Sequence, residues 1–432
     1  MISRRRFLTA SAVATSVAAT SHLSRASEKS NATSLPPSIA QLKSRKSEAT
    51  PIKREERAAR QEQAKRRMSE NNLDAILLMS GTSLNYFTGI SWWGGERMFA
   101  YVLPAKGVAF YVCPAFEEDR AREEIANAPD GDRASVRTWQ EDESPYRLVG
   151  QGLKDSGVAT GKLGIEEMVH YFFAEGIAEA APQLTLASAT PATASCRMIK
   201  SAHEIALMRL ASQVTLSAYE AVYHSLREGM TQSQVEDLIV AAYSQLGFPG
   251  EASVEVDEYT SYPHGSNTPQ VIHEGSLIMI DDGCTVEGYQ SDITRTFVLG
   301  KPPAKSADKM KKVFDIVLQA QSAALLAARP GVECGAIDDA ARKVITDAGY
   351  GPDYKYFTHR LGHGLGMDGH EWPYLVRGNK TKLEANITTS NEPGIYIHGQ
   401  FGIRLEDDMH VTETGAELFT PQSPSLEDPF GK

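Results

Sequence analysis

Several absences narrow the possibilities. No apolar run in the 432 residues approaches the ~18 that a membrane span requires, so no membrane association is expected once a leader is removed. Cysteine is scarce. Cys113, Cys196, Cys284 and Cys334 are scattered, without C-x-x-C spacing or the density of a disulfide framework, and read as buried free thiols. Excess positive charge is also missing: the formal net charge is −11, and losing Arg4, Arg5, Arg6 and Arg25 would take it to −15 (−11 − 4). That balance speaks against a nucleic-acid partner. What remains is the composition of an ordinary soluble globular protein, long enough for two or three domains.

Residues 1–26 read as an address. SRRRFL is followed by an uncharged, weakly apolar run from Thr9 to Ser21 and by small residues at Ser24-Arg25-Ala26, the order of a twin-arginine signal peptide with its cleavage site. Export to the periplasm or beyond is therefore expected. The polar stretch 27–51 reads as a linker. A domain over 52–195 opens with a charged helix from Lys53 to Asn71. Strand signals at Ala75–Met79, Phe99–Leu103, Val108–Val112 and Leu163–Ile165 then alternate with helices such as Phe116–Ala126, which makes an α/β domain. Tyr86, Phe87, Trp92 and Trp93 are expected in its core; the other reading has the TGISWWGGER loop reaching over an active site of this subunit or a partner.

Over 196–420 the chemistry is denser. In LIMIDDGCTVEGYQSDITRTFVL two β-branched apolar runs flank a turn at Gly288, and a fold-back between Val286 and Glu287 would set Asp281 directly opposite Asp292. Like charges facing each other across strands destabilise a sheet unless something positive lies between them. NEPGIYIHGQFGIRLEDDM repeats the device, with Glu392 and Glu406 equidistant from Gly399. Between the two lies HRLGHGLGMDGH, with His359, His363 and His370 among glycines that permit close backbone approach. Four carboxylates and an imidazole describe a site for two divalent ions. An internal repeat underlies the arrangement, since 227–248 align without gaps on 329–350 with Arg227/Arg329, Gly229/Gly331, Asp237/Asp339 and Gly247/Gly349 identical. Each copy is followed by a His-Gly pair, His264-Gly265 or His363-Gly364, and then by a carboxylate hairpin.

With IDDGC, SDITRT, HGLGMDGHE, NEPGIY and GIRLEDD in this order from about Met198 to Thr414, the chain resembles the pita-bread metallopeptidases: aminopeptidase P, prolidase, methionine aminopeptidase and the metal-free relative creatinase. The separate N-terminal α/β domain makes it most similar to the aminopeptidase P and prolidase branch. The resemblance implies a duplicated ααββ (α+β pita-bread) catalytic domain that hydrolyses bonds to proline at the N-terminus of peptides. It implies Asp281, Asp292, His363, Glu392 and Glu406 as ligands of two ions, most simply Mn²⁺ with Zn²⁺ or Co²⁺ as substitutes. It further implies His264 and His370 as catalytic residues that hydrogen-bond the peptide and stabilise the tetrahedral intermediate, Glu392 as proton shuttle, His359 lining the proline pocket, Arg404, on the strand face of Glu406, as a further substrate-binding residue, and a homodimer. Asp282 departs from the commoner pattern, a small residue, and strand alternation would turn it to the other face. The alternative function is a metal-free or inactive pita-bread protein that only binds peptides; whether a peptidase of this kind acts on dipeptides or longer chains depends on loops that the motifs do not include.

Overall fold

The computed structural model describes residues 34–131 and 133–431, so the expected signal peptide lies outside the described residues. A mixed sheet in the order β4-β3-β2-β1-β5-β6 forms the first unit, from β1 (Ala75–Met79), β2 (Ala100–Pro104), β3 (Phe110–Pro114), β4 (Ser135–Trp139), β5 (Gly161–Ile165) and β6 (Leu184–Ser188). Its central strands are apolar on both faces because a hydrophobic cluster lies on each side: Leu78, Phe99, Tyr101 and Tyr111 on one, Leu77, Val102, Phe110 and Leu163 on the other. Tyr86, Phe87 and Trp92 are buried as expected, whereas Trp93 is 50% exposed, stacked on Trp92 and under the Arg120 guanidinium. The stretch expected as a linker behaves differently over residues 34–51. Ile39 in the short helix Pro37–Ala40 is fully buried, and Leu35 and Leu42 pack with it on the second unit, because three apolar side chains in eight residues find a core to join.

The duplication is visible in three dimensions. Helices Ala202–Tyr223 and Gln232–Leu246 enclose one core and helices Ala307–Ala327 and Cys334–Asp347 another, one for each copy. The aligned glycines serve the same backbone purpose in both, with φ of 89° and 87° at Gly229 and Gly331, and 93° and 91° at Gly247 and Gly349. Ser201 with Glu204, and Thr231 with Gln234, form capping boxes that start the first pair of helices. The strands on the inner side are β7 (Ser253–Val256), β8 (Leu277–Asp281), β9 (Thr285–Val286), β10 (Tyr289–Gln290) and β11 (Arg295–Val298) in the first copy. In the second they are β12 (Gly362–Gly364), β13 (Glu371–Leu375), β14 (Thr388–Asn391), β15 (Gly394–Ile397), β16 (Phe401–Arg404), β17 (Asp407–Val411) and β18 (Ala416–Leu418). Sheets β11-β8-β7 and β13-β12-β14-β17-β18, with hairpins β9/β10 and β15/β16, carry the candidate site between them. All four cysteines are free and buried, and no helix among the described residues is long and apolar enough to cross a membrane.

Candidate metal centre

The first hairpin folds back one position later than expected. Val286 pairs with Tyr289 and Ile280 with Arg295, so the turn is Glu287-Gly288, with φ of 49° and 86° as a two-residue primed turn demands. Asp281 therefore stands opposite Thr294, not Asp292. The two aspartates remain on one face as diagonal neighbours, because a shift of two residues preserves the side to which a strand residue points. Asp282, at φ 126°, leaves the strand; among the described residues its carboxylate accepts the Gly283 N–H alone, and it lines a separate recess with Pro249 and Cys284, away from the cluster as expected. The second hairpin keeps the expected register: Gly394 pairs with Arg404 and Asn391 with Asp407, which sets Glu392 level with Glu406, and Gly399 turns the chain at φ 72°.

These strands bring the five expected ligands together. Asp281, Asp292 and Glu406 form one group of donors, His363, Glu392 and Glu406 a second, and in each the donor atoms lie within 4.8 Å of one another. Asp292, His363 and His370 make a third, overlapping group. A cavity of about 130 Å³ is lined by all of them and by His264, His359, Arg360 and Arg404. His363 donates Nδ1–H to the Gly364 carbonyl, which turns Nε2 to within 3.3 Å of Glu392 and 3.5 Å of Asp292. Its ring lies 3.6 Å from that of His370.

Charge makes the chemistry of this donor set specific. Burial, then the charge of Asp281, pushes Asp292 well above the usual carboxylate range, and burial with Asp292 and Glu392 does the same to Glu406. Burial would raise Glu392 too, but its bond to His363 and the positive charge around it hold it low. His363 is driven upward against its burial by Glu392 and Asp292. Two of the four carboxylates are thus pushed upward by burial and by one another's charge, and the set fits two divalent cations, which would balance that charge. His359 behaves oppositely: burial, outweighing the attraction of Glu392, lowers it to about 4. Being neutral, it donates Nδ1–H to the Arg360 carbonyl and accepts the Tyr396 hydroxyl at Nε2, 2.7 Å away. Burial and the neighbouring His363 lower His370 to about 4 as well.

Several functional residues were not foreseen from the sequence. Thr294 Oγ1 lies 2.5 Å from Asp281 and 2.6 Å from Glu406 and accepts Arg404 Nε–H at 2.9 Å. The only local hint was its place, two residues after Asp292 on the same strand face. Arg404, which was foreseen as a substrate-binding residue, lines the cavity but pairs with Asp281 at 2.5 Å and donates to Tyr396 and to the Pro263 carbonyl, so it also steadies the loop carrying the exposed His264. Asp408 accepts the Asp292 N–H, and Ser390 hydrogen-bonds both Glu392 and the His363 N–H. Behind the face, fully buried Arg295 pairs with Asp407 at 2.7 Å and donates to the Glu406 carbonyl. Apart from Ser390 with Glu392, two residues apart, these partners lie far from their targets in sequence.

Comparison with known proteins agrees with this geometry. Residues 206–413 match the model of metallopeptidase family M24, and residues 60–199 that of the creatinase/prolidase N-terminal domain. The Xaa-Pro dipeptidase of Lactobacillus delbrueckii subsp. lactis is 32% identical over 368 residues, 83% of this chain and 96% of that one. The Xaa-Pro dipeptidase of Pyrococcus horikoshii is 31% identical over 82% of this chain and 94% of its own. Among solved structures, the dipeptidase PepE of Mycobacterium ulcerans superposes with a TM-score of 0.80 at 30% identity, covering 88% of this chain and 99% of that one. With both domain models, full-length relatives and a pita-bread fold in agreement, the chain belongs to metallopeptidase family M24, in its prolidase and aminopeptidase P branch.

Proposed function

We infer that the protein is a dinuclear-metal peptidase that cleaves the bond between an N-terminal residue and proline, with Xaa-Pro dipeptides as its first substrates. One observation carries the reading: two donor groups share Glu406 in a single small cavity. Asp281, Asp292 and Glu406 would hold one ion, and His363, Glu392 and Glu406 the other; oxygen-rich donors with one imidazole favour Mn²⁺ over thiolate-loving metals. Bound there, the ions would supply Lewis acidity for the scissile carbonyl and lower the pKa of a water.

The chain's own groups do the rest. Glu392, kept ionised, takes the proton of the attacking water and passes it to the departing proline nitrogen. His370 and His264 face the cavity from different loops, where ring N–H groups can stabilise the developing oxyanion. His359, held neutral by burial and by its bond to Tyr396, offers an uncharged wall to the proline ring. Arg360 lines the cavity with no acidic partner among the described residues, which suits a substrate ending in a free carboxylate. The relatives named Xaa-Pro dipeptidases support the same choice. A homodimer, and twin-arginine export led by SRRRFL, complete the proposal.

The experiment is direct. Mn²⁺-loaded protein should release the N-terminal amino acid from a Xaa-Pro dipeptide faster than from a Xaa-Pro-Yaa peptide. The opposite preference would make it an aminopeptidase. Binding of either peptide without release would leave a peptide-binding protein, a reading now disfavoured because all five donors are present.

A further inference from the structure

His370 has no side-chain hydrogen bond of its own among the described residues; its ring only stacks on His363. Its position must come from the backbone of residues 365–370, a glycine-rich loop with little intrinsic preference for one conformation. That loop is fastened from two directions. On the hairpin side, Gln290 donates its backbone N–H to the Gly366 carbonyl at 2.8 Å and its Nε2–H to the Met367 carbonyl at 3.0 Å.

On the opposite side the fastening comes from the end of the first unit. Helix Thr190–Met198, which leads out of β6, presents Arg197, whose Nη2 lies 2.5 Å from both Asp368 and Glu371; Lys200 Nζ reaches the other Glu371 oxygen at 2.5 Å. Thr82 also donates to Asp368, and Arg197 Nη1 donates to Ser83 Oγ, which bonds Glu166. Arg197, Lys200 and Glu371 are all buried. The loop curls tightly around the bound carboxylate, since a Cβ on Gly366 would come within 2.5 Å of Glu371 Oε1. Asp368 and Glu371 bracket His370 in sequence, so both flanks of the histidine are tied to residues some 170 positions away.

We propose that Arg197, with Lys200, is a positioning residue for His370: through Asp368 and Glu371 it clamps the His370 loop to the N-terminal unit and sets the imidazole against the reacting carbonyl. This rests on the proposed peptidase reading for its kinetic consequence but not for its structural one. A histidine that acts on the transition state and is held from outside loses rate, not ground-state affinity, when the clamp loosens. Two buried cations on one carboxylate also make the clamp stiff, because either partner left alone would be an uncompensated buried charge.

The test compares Arg197→Gln and Arg197→Lys, each alone and in a His370→Ala background, in Mn²⁺-loaded enzyme of verified metal content. Arg197→Gln should lower kcat about tenfold or more with KM changed less than about threefold, as misplacement of a reacting group does. Arg197→Lys should recover most of the loss. In the His370→Ala background Arg197→Gln should cost less than about twofold, because the group it positions is gone. Equal losses in both backgrounds, or a change confined to KM, would overturn the proposal. Amide hydrogen exchange over residues 366–371 needs no substrate: it should quicken in Arg197→Gln, and unchanged exchange would refute the clamp even if the peptidase reading failed. Should Arg197→Gln not fold, Asp368→Asn weakens the same clamp at its more exposed end, with the same expectations.

Discussion

Thr294→Val is the sharpest probe of the centre, because it removes one hydroxyl and almost no volume. That hydroxyl lies 2.5 Å from Asp281 and 2.6 Å from Glu406, which belong to the same donor group, and it has one proton to give. With both carboxylates as ligands, Thr294 would be the outer partner that orients them while accepting from Arg404. Loss of such a partner typically weakens metal binding about 10–100-fold, or roughly 1.4–2.7 kcal/mol. The lower half of that range is expected here, because Arg404 still holds Asp281 at 2.5 Å. Thr294→Ser keeps the hydroxyl and should stay near wild type. Titration calorimetry with Mn²⁺ on stripped protein gives the affinities, and unchanged binding in Thr294→Val would refute this role for the hydroxyl.

Three further outcomes are expected. Asp292 and Glu406 bind protons more tightly in the metal-free fold than in the unfolded chain, so their stabilisation is complete below the ordinary carboxylate range and is lost as pH rises through their raised values. The melting temperature of stripped protein should therefore fall as pH rises, and the increment from added Mn²⁺ should grow; an increment independent of pH would count against a carboxylate-rich site. Asp281→Asn should abolish activity and leave fewer than two metals per chain by elemental analysis, whereas Asp282→Asn, altering a carboxylate that faces away, should keep both metals and most activity; the reverse would place the wrong aspartate in the site. Replacing Arg4 and Arg5 by lysine should strand the precursor in the cytoplasm, and normal export would dismiss the twin-arginine assignment.

The sequence by itself determined the features that reside in neighbouring residues. An apolar run marked β1 and a charged stretch marked the helix before it, Arg54–Glu70, and paired glycines at an offset of 102 marked a duplication whose φ values prove to be shared. The Glu392/Glu406 register was legible because the midpoint of the two carboxylates coincides with a turn glycine. At Asp281/Asp292 the same inference failed by two residues. There the local demand of a Glu287-Gly288 primed turn sets the register, and diagonal carboxylates on one face serve a common site as well as opposed ones do. Only the tertiary structure decided the outer partners. Thr294 with Glu406, Tyr396 with His359, Arg295 with Asp407 and Arg197 with Glu371 are joined by packing between elements, and a hydrogen-bonding side chain carries no mark in sequence of which distant partner the fold will bring to it. The docking of Ile39 has the same origin: the polarity of residues 34–51 is a local property, whereas the core that Ile39 enters is built by helices and strands far along the chain, from Leu207 onward.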